Sequence, residues 1–375
     1  MSRLAPLVPL LSVGKGSVPR LYFPLRSYSS QEKTDPYTKL RPLISTFKAP
    51  VDWAVAYGSG VLPQASSAPK NQVEEKKEAP LTDLLLSTPN AEEFHSINLR
   101  QNPTHYPLYA RLLGAKSVAR IQEKWGAGVW YVTMVDIGGT NAKYGIITSS
   151  TLEDDLKDWT TFYLSGRLQK PTLLLQPPPP SLEAALQTNL QSALSLSLLL
   201  LPREFTEDEL WMKITGLSYE GDPRMRVPGG ENPGKVGNIV RGPGAREGFR
   251  EMYGPFLQRG DLGVEWAEEK KGKWTWKGTG EGKLVQHKDP KHMAYLASTL
   301  PSNLVFHLPS SPSSPETFLP LVTKPSFPTD LSKTLNEIIH TPALRQSVKG
   351  LFTAGLTKSV VYTGKKVGKW FKGRK

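Results

Sequence analysis

The sequence contains no cysteine. This absence excludes disulfide bonds, thiolate nucleophiles, cysteine-ligated zinc and iron–sulfur clusters, and it suits a reducing compartment. The six histidines show no zinc-ligand spacing. No apolar stretch predicts a membrane span, because residues 4–13 are too few and residues 181–201 carry several polar side chains. With 375 residues and an ordinary hydrophobic content of 38%, the chain has enough material for two modest globular domains.

Acidic residues are missing from both ends of the chain. Residues 1–31 contain four lysines and arginines and residues 338–375 contain nine, without an aspartate or glutamate in either segment. These two segments account for the whole net charge of +13, so the residues between them are neutral overall. The charge therefore predicts no broad basic face, and we expect no nucleic acid partner.

The first 30 residues are basic, rich in serine and leucine and free of acids. Such a composition is typical of a mitochondrial transit peptide. Residues 25–30 (Leu-Arg-Ser-Tyr-Ser-Ser) resemble a matrix processing site, with cleavage expected just after Tyr28. A disordered basic arm is the alternative interpretation.

The other acid-free end, residues 340–375, combines apolar and basic residues. Between Leu344 and Tyr362 apolar side chains recur every three or four positions with lysines between them, and Trp370 and Phe371 follow. This pattern predicts an amphipathic helix that binds an anionic membrane surface. A solvated basic tail or a nucleic-acid-binding arm would have a similar charge.

Two short segments combine the features of a phosphate site and a metal site. Residues 55–61 form an apolar strand that enters the turn Gly58-Ser59-Gly60, and residues 81–86 form a second apolar strand that contains Asp83. A glycine-rich turn lets backbone amides and a hydroxyl approach a phosphate closely. A carboxylate within a leucine-filled strand is costly to bury unless something pairs with it. The segments predict neighbouring strands that hold a nucleoside triphosphate on the turn and a divalent cation on Asp83.

Alternating residues at 129–132 and 143–147 predict a β-hairpin. Its turn contains residues 136–141 (Asp-Ile-Gly-Gly-Thr-Asn), which resemble the phosphate loop of actin-like sugar kinases. Those kinases also need a second phosphate loop and a base aspartate on a separate loop, and the sequence shows neither. A plain Gly-Gly hairpin turn is therefore the favoured interpretation.

Residues 31–178 are predicted to form the first domain, which ends at the rigid break Pro177–Pro180. Within it, residues 63–80 are rich in serine, proline, lysine and glutamate and predict a mobile loop. An acid-rich helix is expected from Asp154 to about Gly166, since acids near a helix start favour the helix dipole.

Residues 181–260 are predicted to form the second, mainly helical domain. It begins with a core helix over residues 181–201, in which alanine and leucine recur at helical spacing. Residues 261–330 show little pattern, and we expect a partly ordered insert there without catalytic residues.

Several short motifs follow one another in a characteristic order: residues 56–61, Asp83, His95-Ser96, Asn98-Leu99, residues 126–129 and 143–145, Tyr163, residues 166–171 and 217–219, Gly221-Asp222, Lys235-Val236, residues 238–240, Lys349-Gly350 and residues 352–355. In this order they resemble the mitochondrial phosphatidate cytidylyltransferases, also called the translocator assembly and maintenance protein family. The resemblance covers roughly residues 50–255 and 340–365 and leaves out the segment 261–330.

The resemblance implies an α+β fold. A nucleotidyltransferase-type mixed sheet with helices would be followed by a mainly helical, winged-helix-like domain and a C-terminal amphipathic helix. It also implies a peripheral enzyme on the matrix side of the mitochondrial inner membrane, bound to anionic lipids. The expected reaction converts CTP and phosphatidate into CDP-diacylglycerol and pyrophosphate with magnesium, for cardiolipin synthesis. A non-catalytic membrane-associated scaffold that supports the import translocase is the alternative.

The resemblance also implies roles for individual positions. The catalytic residues would be Ser59, Asp83 and Lys143. The nucleotide would be bound by Gly58, Ser59, Gly60, Arg167 and Lys170, and the lipid substrate by Asp222 and Lys349. Asp83 is the expected magnesium ligand, and the turn is expected to cradle the outer phosphates. Lys143, Arg167 and Lys170 are candidates for the leaving pyrophosphate or the phosphatidate headgroup, and an ordinary surface cation is the alternative interpretation of each. The phosphate monoester of phosphatidate needs no strong general base, so the lack of a Ser-His or Cys-His set is expected.

The sequence departs from the general nucleotidyltransferase pattern at one position. That pattern places two carboxylates two residues apart on one strand, and here Leu85 occupies the second position. A two-metal site therefore needs an acid from elsewhere, and Asp155, Asp222 and Glu231 are the candidates.

Overall fold

The computed structural model describes residues 36–65, 81–225, 231–232, 234–266, 282–309, 312 and 315–354. The predicted transit peptide, most of the predicted mobile loop and the basic tail beyond residue 354 lie outside these residues. Among the described helices, none is long and apolar enough to cross a membrane. The architecture is mixed α+β, as expected.

A five-stranded mixed sheet forms the first half of the protein. Its strands are β1 (Trp53–Tyr57), β2 (Thr82–Thr88), β3 (Trp130–Ile137), β4 (Thr140–Thr148) and β5 (Leu173–Gln176), in the spatial order β3-β4-β2-β1-β5. Strands β2 and β4 are parallel, and the other neighbours are antiparallel. The predicted pairing of the first two strands is confirmed, and its register sets Tyr57 opposite Asp83.

Both faces of this sheet are covered by helices. They are α1 (Pro36–Ser45), α2 (Ala91–Gln101), α3 (Leu108–Lys124), α4 (Ser149–Asp158) and α5 (Ser165–Leu168). Alternate residues of β1 enter different clusters, because successive strand residues point to opposite faces. Ala54 and Ala56 pack with side chains of α1, α2 and α3, whereas Trp53 and Val55 pack with side chains of α4 and α5.

The hairpin predicted from alternating residues is confirmed as β3 and β4. Gly138 and Gly139 form its turn with φ of 57° and 80°, values that favour glycine. The amide of Gly139 donates to Oδ1 of Asp136 at 3.0 Å. Residues 136–141 therefore serve as a two-glycine hairpin turn.

The helix expected from Asp154 to Gly166 is wrong in its bounds. Helix α4 begins five residues earlier and ends at Asp158, where Trp159 takes a left-handed conformation with φ of 53°. Helix α5 is separate. The chain turns between them because the Asp155 carboxylate accepts backbone N–H bonds from Thr161, Phe162, Leu164 and Ser165 at 2.8–3.1 Å.

The second half is mainly helical. It contains α6 (Pro180–Leu200), β6 (Glu204–Thr206), α7 (Glu207–Glu220), α8 (Lys235–Val240), α9 (Ala245–Gln258), β7 (Val264–Trp266), β8 (Lys283–Gln286), α10 (Pro290–Ser298), α11 (Ser302–Phe306), α12 (Pro315–Val322) and α13 (Phe327–Ala354). The predicted core helix is confirmed as α6, which packs against the first half through Leu182 and against the second through Leu194.

The segment 261–330, predicted to be a low-pattern insert, contributes several short elements to this second half. Strand β8 lies between β6 and β7 in a small antiparallel sheet. Leu284, Leu296, Leu304 and Phe318 are buried in the same apolar cluster as Leu210 of α7. The weak sequence pattern therefore reflects short elements that share one core.

Helix α13 returns from the second half to the sheet and docks there through polar side chains. The side-chain amide of Gln346 accepts a hydrogen bond from the amide of Ala127 at 3.0 Å and donates one to the carbonyl of Val129 at 3.3 Å. It thus satisfies two backbone groups, as the backbone of a neighbouring strand would. The buried Lys349 ammonium donates to the carbonyls of Gln122 and Trp125 at 2.9 and 2.6 Å. These bonds compensate for the burial of polar groups at this contact.

A buried polar network beneath α2 and α3 contains the motif residues His95 and Asn98. The Nε2 atom of His95 lies 2.8 Å from Oε1 of Gln122, an acceptor, so Nε2 carries the proton. Nδ1 then accepts from the hydroxyl of Tyr106 at 2.8 Å, and Asn98 donates to the same hydroxyl at 3.0 Å. The motif therefore supports the fold, and its histidine is neutral.

This network predicts a pH dependence of stability. Burial, followed by the charge of Lys349, lowers the pKa of His95 to about 4 from an ordinary value of 6.5. Below pH 6.5 the unfolded chain takes up a proton at His95 while the folded protein does not, so the free energy of unfolding should fall as the pH drops from 6.5 towards 4. The loss should reach about 3 kcal/mol.

Denaturant titrations of the wild type and of His95→Gln across this pH range should show a shallower slope for the variant, with parallel curves above pH 7. Equal slopes below pH 6.5 would contradict a buried neutral histidine.

Candidate active site

The predicted phosphate turn lies at the end of β1 and packs against the start of β2. Gly58 has φ of 80°, and its carbonyl accepts the amides of Val61 and Leu62 at 3.1 and 2.9 Å. A Cβ at Gly60 would lie 2.2 Å from the carbonyl oxygen of Leu81, so only glycine fits there. Ser59 is exposed at the tip of the turn. The tip of the turn is therefore accessible to a ligand at Ser59.

Asp83 lies directly beside this turn. Its Oδ2 is 3.0 Å from the point where a Cβ on Gly58 would stand. The parallel register of β2 and β4 pairs Asp83 with Lys143, whose ammonium lies 3.5 Å from Oδ1. Both side chains are partly exposed, at 25% and 21%. A carboxylate, a cation and the glycine turn thus meet at one edge of the sheet.

Arg167 reaches the same place from α5. Its guanidinium lies 4.6 Å from the centre of the Tyr57 ring, which precedes the turn. Among the described residues Arg167 forms no ion pair, and its Nε atom is buried without a hydrogen-bond partner. Burial opposes its charge, but the neighbouring tyrosines and Asp83 raise the pKa of Arg167 well above its usual value. Arg167 is therefore a partly buried cation that, within the described part of the chain, has no carboxylate in direct contact.

Lys170 lies three residues beyond Arg167, just after α5, and is buried. Its ammonium donates to the carbonyl of Gly166 and to the hydroxyl of Ser218, the latter at 2.7 Å, and so joins α5 to α7. Burial, then the charges of Arg167 and Lys235, lower the pKa of Lys170 well below its usual value. These contacts hold the Lys170 ammonium between α5 and α7.

Sequence reasoning missed Arg224, which forms a bidentate pair with Asp222. The distance from Nη2 to Oδ2 is 2.5 Å, and Nε lies 3.0 Å from both carboxylate oxygens. Burial would raise the pKa of Asp222, but Arg224 holds it below its usual value. Asp222 is buried, whereas Arg224 remains 29% exposed, so Arg224 is the member of the pair that can meet a ligand. The Asp-x-Arg spacing was the available sequence signal.

Tyrosine side chains fill the space between these charged groups. The Lys143 ammonium lies 4.7 Å from the ring centre of Tyr131. Burial would raise the pKa of Tyr163, but Arg224, Arg167 and Lys143 together lower it below its usual value. Tyr163 therefore lies where these cations converge. No roles were predicted for Tyr131 or Tyr163, because a tyrosine in sequence does not reveal its charged neighbours.

The three candidates for a second metal carboxylate differ in their surroundings. Asp155 is excluded, because both of its oxygens are occupied by the backbone amides that shape the loop before α5. The Asp222 carboxylate forms an ion pair with Arg224, and the Glu231 carboxylate lies 3.8 Å from the ammonium of Lys235. No group of three histidine, aspartate or glutamate residues in the described part of the chain could hold a metal ion. Asp83 thus provides a single carboxylate.

The structure does not bring Lys349 to this site. Its ammonium is enclosed between two carbonyls where α13 meets α3, and its side chain is completely buried. We therefore assign Lys349 to the docking of α13 in place of the predicted substrate contact. The remaining predicted residues lie on or directly after β1, β2, β4, α5 and α7, around one cationic region.

The fold and this region define an α+β protein with a site suited to phosphate ligands, because several cations surround an open glycine turn. A family described as "Phosphatidate cytidylyltransferase, mitochondrial" matches residues 40–369. Proteins of that name from Mus musculus and Bos taurus are 35% and 36% identical to the chain, over 89% of its length and 95% and 94% of theirs. The protein of that name from Schizosaccharomyces pombe is 36% identical, over 88% of this chain and 83% of its own length. The chain belongs to the mitochondrial phosphatidate cytidylyltransferase family.

Proposed function

We propose that this chain transfers the cytidylyl group of CTP to phosphatidate and releases pyrophosphate. Family membership supports this activity, and Arg167 is the structural observation that carries it. The Nε atom of this partly buried guanidinium has no hydrogen-bond partner among the described residues, and burying charged groups is costly unless they are paired. An anionic ligand beside Gly58 and Asp83 would remove that cost, and a nucleoside triphosphate provides the required charge.

The reaction needs charge balance more than proton transfer. The phosphate monoester of phosphatidate has a second pKa near 6, so it is largely dianionic at neutral pH and above. One of its oxygens forms a bond to the α-phosphorus of CTP while the bond to pyrophosphate breaks, and no base is required. The neutral histidine in the buried network is consistent with this, since its two ring nitrogens are already occupied.

We assign the chain's residues by their positions around the turn. Amides of Gly58–Gly60 and the Ser59 hydroxyl bind outer phosphates of CTP, and Lys143 and Arg167 balance the charge of the leaving pyrophosphate. Arg224, positioned by Asp222, is available for the phosphate of phosphatidate. Lys170 maintains the placement of Arg167 by fixing α5 on α7.

Asp83 suits a magnesium ion. Magnesium is commonly bound by one or two carboxylates together with substrate phosphates and water, so a single protein carboxylate beside a phosphate turn fits this pattern. When bound, the ion would neutralise negative charge on the triphosphate. The ammonium of Lys143, which now faces Asp83, would then be released towards the phosphates.

Further parts of the proposal concern fold family and location. We propose a nucleotidyltransferase-type fold for the sheet half and a winged-helix-like arrangement for the second half, where a three-stranded sheet accompanies α7. We also propose that the protein acts on the matrix side of the mitochondrial inner membrane, attached to anionic lipids, in cardiolipin synthesis. The mitochondrial names of its relatives and its lipid substrate support this location.

The direct test uses the purified full chain with labelled CTP, magnesium and vesicles that contain phosphatidate. We expect labelled CDP-diacylglycerol and an equal amount of pyrophosphate, with no product when diacylglycerol replaces phosphatidate, because diacylglycerol lacks the attacking phosphate. Preference for CTP is measured against ATP under the same conditions. No turnover with any nucleotide would instead favour the membrane-associated scaffold.

A further inference from the structure

The first turns of α3 expose four large apolar side chains. We call them the leucine patch: Leu108, Tyr109, Leu112 and Leu113. Leu112 is 79% exposed and Leu108 is 64% exposed. Residues four apart occupy the same face of a helix, so these side chains form a continuous apolar strip. A contiguous apolar surface on a folded protein marks an interaction site for another protein or for a membrane.

The backbone holds this patch away from the core. Gly114 interrupts α3 with φ of 76° and ψ of 171°, so residues 108–113 form a separate short helix before the main one. Ala110 is fully buried and fixes the inner face of this segment. Tyr106, two residues before the segment, is anchored in the buried network through His95. The leucine side chains therefore project from a backbone segment that Ala110 and Tyr106 fix to the protein.

The helix that carries the patch is basic around it. Arg111, Lys116 and Arg120 are exposed, and residues 102–122 contain no aspartate or glutamate. Apolar side chains bordered by basic ones are typical of helices that lie in the interface of an anionic bilayer. A water-soluble partner would require acidic side chains around an apolar centre, whereas phosphatidate provides negative charge and acyl chains together.

The far end of the same helix meets another exposed apolar surface. The ring of Trp125, directly after α3, lies 5.8 Å from the ring of Phe352 on α13. Phe352 and Leu351 are 53% and 51% exposed, because the polar side of α13 faces the protein. Helix α3 thus connects the leucine patch to the helix that precedes the basic C-terminal tail.

From this arrangement we infer that the leucine patch inserts into the interfacial layer of the bilayer that carries phosphatidate. It forms a membrane contact separate from the C-terminal segment. This inference rests on the proposed function, which supplies the lipid substrate. It adds a specific docking surface that places the protein on the membrane at a second point.

The test replaces Leu108, Leu112 and Leu113 by serine in one variant of the full chain. The matched control is Phe306→Ser, which removes another exposed apolar side chain, 71% exposed, on α11. Flotation with vesicles of neutral lipid plus phosphatidate is measured for both, in the complete chain and in a chain that ends at residue 354. Thermal unfolding checks that the exposed substitutions leave the fold intact.

We expect the triple variant to bind vesicles at least about tenfold more weakly than the wild type in both backgrounds. Phe306→Ser should bind like the wild type. Turnover of phosphatidate in vesicles should fall in parallel, and turnover of a water-soluble short-chain phosphatidate should not change. Unchanged flotation in both backgrounds would overturn the inference. A loss of self-association without a loss of flotation would also overturn it, and would make the patch a contact between copies of the chain.

The two proposals fail separately. If the wild type makes no CDP-diacylglycerol from either substrate, the proposed function is wrong, yet weaker flotation of the triple variant would still support the membrane contact. If the wild type is active and the triple variant floats normally, only the membrane contact is wrong.

Discussion

Asp83→Asn should abolish CDP-diacylglycerol formation while the protein remains folded. Asparagine preserves the size of the side chain but removes the charge that would hold magnesium beside the glycine turn, so we expect a loss on the order of 100-fold or more in kcat/KM. The carboxylate lies only 3.5 Å from the Lys143 ammonium and is partly exposed, so the folded protein depends little on this ion pair.

The assay for Asp83→Asn is labelled CTP with phosphatidate vesicles across a range of magnesium concentrations. Asp154→Asn, an exposed aspartate on α4, is the matched control and should behave like the wild type. Thermal unfolding without nucleotide should give the same midpoint for all three proteins. Near-normal turnover by Asp83→Asn at saturating magnesium would remove this residue from the metal site.

Arg167→Met should separate activity from stability. If an anionic ligand completes the site, loss of the guanidinium should weaken CTP binding and lower kcat/KM on the order of 100-fold or more. The ligand-free protein should be about as stable as the wild type or more stable, because the substitution removes a cation whose buried Nε atom has no hydrogen-bond partner among the described residues and leaves an apolar side chain near the Tyr57 ring. Arg167→Lys should recover part of the binding, since it restores the charge without the planar fork.

Arg250→Met provides the contrast. Its guanidinium is paired with the fully buried Glu207 at 2.6 and 2.7 Å, so its loss leaves a carboxylate buried without its ion-pair partner. We expect this variant to lose roughly 3–5 kcal/mol of stability with no specific change in the KM for CTP. CTP titration and chemical unfolding distinguish the two cases. If Arg167→Met instead loses stability and retains its affinity for CTP, Arg167 is structural.

The local features of the site could be predicted from sequence. The turn at residues 58–60 and the carboxylate at Asp83 are recognisable because their residue types are restricted by backbone conformation and by the cost of burial. The structure places them side by side, as the predicted strand pairing requires. The hairpin was predictable for the same reason, since its glycines and alternating strands are local in sequence.

The partners of charged residues could not be predicted in the same way. Asp155 was a metal candidate by residue type, and the structure shows a carboxylate occupied by the amides of a loop that follows it. Lys349 was assigned to substrate, and it lies buried against carbonyls more than 200 residues earlier in the chain. Arg224 was overlooked although it forms the close pair with Asp222. A charged residue has the same appearance in sequence whether it meets a ligand, an ion or a backbone.

Helix α13 shows the same limit at the scale of an element. Its apolar periodicity predicted a membrane-binding face, and Leu351 and Phe352 are indeed exposed on it. The sequence could not show that Gln346 and Lys349 would be the buried side, because polar burial depends on acceptors supplied by the last turn of α3 and by the loop after it. The order of motifs along the chain sufficed to identify the family, because family motifs depend on residue types and spacing. Tertiary structure alone decided which cation has no protein anion in contact among the described residues, because that depends on which distant groups come within hydrogen-bond distance.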